Sequence, residues 1–94
     1  MSNTAYFTNH KFQVLSCLYD ARGIDNIARI TQQEIATKLN LSRVTVNGIF
    51  QTLRDDGYLT KDECSVSNHT LTEKAVLAVE MFRMADLERK EDNK

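Results

Sequence analysis

The sequence predicts a mainly α-helical domain carrying one small β-hairpin, and three observations predict it. There is no proline and there are only three glycines, which favours helices with short connections, because proline is the main breaker of helical runs. Apolar residues recur at helical spacing in four separate stretches. Between the third and fourth stretches, two short strand-like segments flank an acidic turn, Asp62-Glu63-Cys64-Ser65. At 94 residues the chain makes a single domain, 1–94. A domain this small buries only about 60–65% of its unfolded surface, so a partner subunit would add needed stability.

In the first helix, expected over 9–22, Phe12, Leu15, Leu18 and Tyr19 recur at helical spacing with Val14 beside them. Thr8 or Asn9 is its cap and Gly23 offers a left-handed stop. Ile24, Ile27 and Ile30 follow, with a very short strand expected at 28–30. Thr31-Gln32-Gln33-Glu34 is a capping box, in which the Thr31 hydroxyl accepts from the Glu34 amide while the Glu34 carboxylate accepts from the Thr31 amide. It opens a helix over 32–39, with Ile35, Ala36 and Leu39 on one side. Asn40 tolerates the left-handed conformation that ends it. Leu41 fills the corner and Ser42 caps the next helix, where Val46, Ile49, Phe50 and Leu53 form one apolar stripe. Asp55, Asp56 and Gly57 end it. Two helices joined by so short a turn, the second longer and amphipathic, make a helix-turn-helix.

Tyr58-Leu59-Thr60-Lys61 reads as a strand and Val66 to Leu71 as its return. A two-stranded hairpin is unstable alone in water, so it must lie against the helices as a wing. The core, 9–72, is therefore a winged helix-turn-helix. Thr72 caps a last helix over 73–90, whose Leu77, Met81 and Met84 form one stripe and whose Ala75, Ala78, Val79, Phe82 and Ala85 form a second. Val76 and Leu87 widen this surface past half the circumference, more than docking on one core requires. The expectation is a C-terminal dimerisation helix, with Leu77, Met81, Phe82, Met84 and Ala85 at a homodimer interface.

The net charge is −1, but its distribution is uneven. Residues 29–61 carry five basic against three acidic side chains, whereas 62–94 carry five against eight. Only the middle of the chain is basic, a mild polarity that permits a nucleic-acid partner. Two cysteines, Cys17 and Cys64, lie far apart without metal-ligand spacing. Cys17 is expected on the core face of the first helix and Cys64 in the hairpin turn, with no disulfide and no metal. His10 reads as a helix-start residue, and Tyr6 and Phe7 as cover for the core edge or a partner. Met1 to Thr8 lacks the apolar run of a signal peptide, and no stretch approaches the roughly 18 apolar residues of a membrane span. The expected compartment is the cytoplasm, with no membrane partner.

The window from Ile30 to Lys61 resembles the DNA-reading core of bacterial winged-helix regulators, and Leu71-Thr72-Glu73-Lys74 resembles the end of the wing in the MarR-like group. The most specific part is Leu41-Ser42-Arg43-Val44-Thr45-Val46, followed eleven residues later by Gly57-Tyr58-Leu59. The resemblance spans about residues 10–75 and implies a dimeric, sequence-specific binder of double-stranded DNA that regulates transcription, repression by occlusion being the simplest mechanism. In motifs of this shape the position of Gly48 is commonly basic, so the chain departs from the pattern there.

Helix geometry supports the same reading independently. A helix fits the major groove, and its N-terminal residues reach base edges. With the apolar stripe turned inward, the outward arc holds Val44, Asn47, Gly48 and Gln51, flanked by Thr45 and Thr52 on one side and Arg54 on the other. Arg43 and the amides near Ser42 suit phosphate. Asn47 or Gln51 suits adenine, and Val44 suits a thymine methyl. On the wing, Lys61 and His69 are expected at backbone or minor groove. Two-fold pairing would set the two reading helices about 34 Å apart, matching a pseudo-palindromic site. Two other readings stay open: a plasmid or phage partition or replication protein, and a winged-helix module that binds protein alone. No nucleophile arrangement points to an enzyme, and no cofactor or small-molecule ligand is implied.

Overall fold

Local capping and an apolar stripe on each helix set the architecture. A computed structural model describes residues 9–61 and 66–92. Tyr6, Phe7 and the alternative cap Thr8 lie outside the described residues, as does the turn from Asp62 to Ser65 that holds Cys64. Helix α1 (His10–Ala21) starts where the Asn9 side chain accepts from the Lys11 amide at 2.9 Å, and it buries Val14, Leu15 and Leu18. A tight turn follows, with Asn26 at φ 64° and its amide on the Gly23 carbonyl at 3.0 Å. Strand β1 (Ile27–Arg29) turns only Ala28 fully into the core.

Both halves of the capping box form at α2 (Gln32–Leu39). The Glu34 amide donates to the Thr31 hydroxyl at 3.0 Å, and the Thr31 amide donates to the Glu34 carboxylate at 2.8 Å. Asn40 closes α2 in the left-handed conformation, and the Leu41 amide reaches back to the Ala36 carbonyl at 2.9 Å. That bond makes the sharp corner of the helix-turn-helix. Ser42 then caps α3 (Arg43–Asp55) through the Thr45 amide. After α3 the chain turns at Gly57, whose φ of +83° is one that a side chain disfavours.

The strands pair differently from the expected hairpin. Among the described residues the only regular ladder joins β1 to β2 (Asn68–Thr70), antiparallel, with Ile27 opposite Thr70, Ala28 opposite His69 and Arg29 opposite Asn68. The segment Tyr58–Lys61 contributes a single bridge, Leu59 to Leu71, held by two bonds, one from the Thr60 amide to the Thr70 carbonyl and one from the Thr72 amide to the Tyr58 carbonyl. The wing is thus tied down at its base to the sheet edge. It is not a free-standing pair of long strands.

Helix α4 (Glu73–Asp92) starts at Thr72, whose hydroxyl accepts from the Ala75 amide and donates to the Gly57 carbonyl. One of its sides is inside: Ala75 and Val79 are buried, and Phe82 stacks on Phe12 of α1 at 5.5 Å between centroids. Ion pairing of Arg83 with Asp20 and a bond from the Tyr19 hydroxyl to Glu80 fasten the same side. The other side leaves Leu77, Met81, Met84 and Leu87 exposed at 53%, 69%, 62% and 60%. The two predicted stripes therefore part company: the first faces solvent, while the second turns Ala75 and Val79 into the core, half-buries Ala78 and Phe82, and leaves Ala85 exposed. No helix among the described residues is long and apolar enough to cross a membrane.

Candidate nucleic-acid interface

The back of α3 is its anchor. Val46, Phe50 and Leu53 are fully buried, Ile49 packs at the edge of the same cluster, and the Phe50 ring meets His69 edge-on at 4.7 Å. About 100° of rotation per residue then turns Val44, Asn47, Gly48 and Gln51 outward, and all four are exposed. Val44 is 83% exposed, so its side chain adds nothing to the core.

Arg43 occupies the first turn, where a cation opposes the partial positive charge of the helix N-terminus at a cost of about 0.3–1 kcal/mol. Its placement therefore does not serve helix stability. It adds instead to the positive potential that the free amides of this end already create, a setting suited to a phosphate. Arg43 and Asn47 line a concavity of about 470 Å³ together with Gln32 at the start of α2, Arg54 in the last turn of α3, and Val66 on the wing. Sequence reasoning missed Gln32 and Val66 as members of this surface. The signal for Gln32 was present, since the turn between α2 and α3 brings the N-termini of both helices to one side. Val66 had no such signal, because its place depends on how the wing folds back.

The remaining predicted residues divide by what else holds them. The Ser42 hydroxyl accepts from the Thr45 amide and donates to the Thr45 hydroxyl at 2.9 Å, so its first task is the cap. The Thr52 hydroxyl donates to the Gly48 carbonyl at 3.1 Å, turned onto its own helix. Arg54 is half-buried, its guanidinium 5.9 Å from the Phe50 ring centroid. Lys61 is exposed at the edge of the wing turn. The expectation for His69 is overturned: it is 3% exposed. The register of β2 sends Asn68 outward and His69 inward against Phe50, so His69 supports α3 from behind and is not presented at the surface.

On α4, Leu77, Met81, Met84 and Ala85 are exposed, while Phe82 is half-buried on Phe12. The latter contact lies within the chain. Cys17 is half-buried, and burial pushes its thiol up despite the nearby Lys38, which holds it in the unreactive form. Among the described residues no three His, Cys, Asp or Glu side chains gather to hold a metal ion.

No curated protein matches the sequence. Among solved structures, the fold is similar to that of MepR, a transcription regulator of the Staphylococcus aureus multidrug efflux pump MepA. The TM-score is 0.75 and the identity 21%, over 97% of this chain and 67% of that one. It is also similar to the protein in the S. aureus MepR–DNA complex, with a TM-score of 0.63 and 23% identity over 92% of this chain and 73% of that one. Identities this low establish the shared winged helix-turn-helix fold. Residues 13–75, from the middle of α1 to the start of α4, match the Crp-like helix-turn-helix domain model, and by that match the chain belongs to the family of Crp-like helix-turn-helix domains.

Proposed function

We propose that this protein is a transcriptional regulator that binds double-stranded DNA by laying the outward side of α3 in the major groove. The observation that carries the reading is the division of α3 into a fully buried wall, Val46, Phe50 and Leu53, and an exposed side bearing Val44, Asn47 and Gln51. Anchoring without burial of the polar side suits a helix held for an external groove. A protein of the same fold has been solved on DNA, which supports that mode of use. Arg43 and the start of α2 then face the phosphates that border the groove. Asp55, exposed at the far end of α3, repels phosphate, so the N-terminal turns of the helix enter and the last turn tips away.

The exposed stripe Leu77, Met81 and Met84 is the natural seat for a second copy of the chain, since an apolar helix face in water is a liability. Regulation by occlusion needs no further domain and no cofactor, and we assign the chain no catalytic role and a cytoplasmic setting. The test is affinity for mixed-sequence duplex DNA at two salt concentrations. Affinity should fall steeply with salt, and Arg43→Ala should reduce the slope by about 0.9 for each bound protomer, one phosphate contact apiece. Salt-independent binding to protein with none to DNA would overturn the proposal in favour of an interaction module.

A further inference from the structure

The exposed side of α3 has a central ridge. Opposite the wall of Val46, Phe50 and Leu53, at about 100° per residue, the positions nearest the outward direction in the first turns are Val44, Gly48 and Gln51. Val44 projects into solvent, and a Cβ added at Gly48 would meet nothing within 4 Å. The two arginines of the helix lie off this ridge, on the flank that borders the concavity with Gln32. Arg54 is further drawn back over the Phe50 ring. On the other flank, the Thr52 hydroxyl is committed to the Gly48 carbonyl. The part of the helix that reaches deepest into a groove thus offers two methyl groups, bare backbone and one carboxamide, and no cation.

Each base asks for a different chemistry in the major groove. Guanine is read chiefly by a bidentate Arg or Lys on O6 and N7, adenine by a Gln or Asn carboxamide on N6 and N7, and thymine through its methyl group. We infer that α3 reads A·T pairs, with Gln51 on an adenine and Val44 on a thymine methyl, and that Gly48 sets this preference by keeping the middle of the ridge free of a side chain. Val44 and Gln51 stand about two helical turns apart, so they address separate base pairs. The inference rests on the DNA-binding reading above and sharpens it to a class of target.

The experiment selects bound duplexes from a random library with the full chain and with Gly48→Arg, Gln51→Ala and Val44→Ala. Far-ultraviolet circular dichroism checks that each variant folds. The wild-type half-site should hold A·T pairs at the positions these residues govern. On that duplex Gln51→Ala should bind about ten-fold or more weaker and lose its preference at one position. Replacing the governed thymine by uracil, which removes only the methyl, should weaken the wild type about four-fold and leave Val44→Ala unchanged. Gly48→Arg should shift the selected sequences toward G·C. Tight, specific half-sites centred on guanine, indifferent to Gln51→Ala and to uracil, would overturn the inference while leaving DNA binding intact. Failure to enrich any duplex would overturn the DNA-binding reading itself and this inference with it.

Discussion

Replacing Phe50 by leucine tests how the reading helix is held. Phe50 is fully buried, its ring meets His69 edge-on at 4.7 Å, and the Arg54 guanidinium lies 5.9 Å above it. Leucine keeps an apolar group of helical preference but removes the ring. The edge-to-face contact is worth about 0.5–1.5 kcal/mol, and the partly exposed cation–π contact about 0.5 kcal/mol. The ring atoms that leucine leaves unreplaced add a transfer and cavity cost of about 1–2 kcal/mol. Together Phe50→Leu should cost roughly 2–4 kcal/mol, a large share of the stability of any domain of this size. Because a domain this small melts about 4–8 °C lower for each kcal/mol lost, thermal unfolding followed by circular dichroism should show a fall of roughly 10–30 °C. A fall under about 3 °C would refute the reasoning, since α3 would then not be seated on that wall.

Three further outcomes follow from other parts of the structure. Thr31→Ala removes the hydroxyl that accepts from the Glu34 amide and should destabilise the chain by about 1 kcal/mol in urea titration; Thr31→Ser should restore most of it. Met81→Glu places a charge in the exposed stripe of α4 and should shift the chain from dimer to monomer in sedimentation at micromolar concentration, with its melting cooperativity retained. An unchanged mass would remove α4 from the interface. The Lys11 ammonium, hydrogen-bonded to Asp56, holds that carboxyl below the usual carboxylate range. A depressed folded value contributes stability above the unfolded pKa of about 3.9 that is lost as pH falls through the folded value. Asp56→Asn should therefore flatten the acid limb of stability against pH and leave the neutral limb parallel to wild type.

Much of this fold was legible because local chemistry agrees with the tertiary arrangement. The Thr31–Glu34 box, the left-handed Asn40, the Ser42 cap and Gly57 are each specified by a few neighbouring residues, and each stands where the pattern placed it. The outward arc of α3 was legible for the same reason, being the complement of an apolar stripe. What escaped was non-local. His69 looked like a wing residue because alternation cannot say which face of a strand turns inward; that is decided by the pairing of Ala28 with His69 across β1 and β2. Strand β1 was too short for propensity to show what it pairs with. The helical pattern puts Phe82 at a homodimer interface with no sign of its contact within the chain, because Phe12 lies 70 residues earlier. The concavity joining Gln32 to Val66 likewise depends on three segments meeting.

The account turns on which side of the molecule touches DNA, and amide chemical shifts during titration with a selected duplex report that residue by residue. The largest changes should fall on the amides of Arg43, Val44, Asn47, Gly48 and Gln51 and on Gln32 at the start of α2, with the exposed stripe of α4 little affected. Changes concentrated on Leu77, Met81 and Met84, with the α3 amides unmoved, would contradict it.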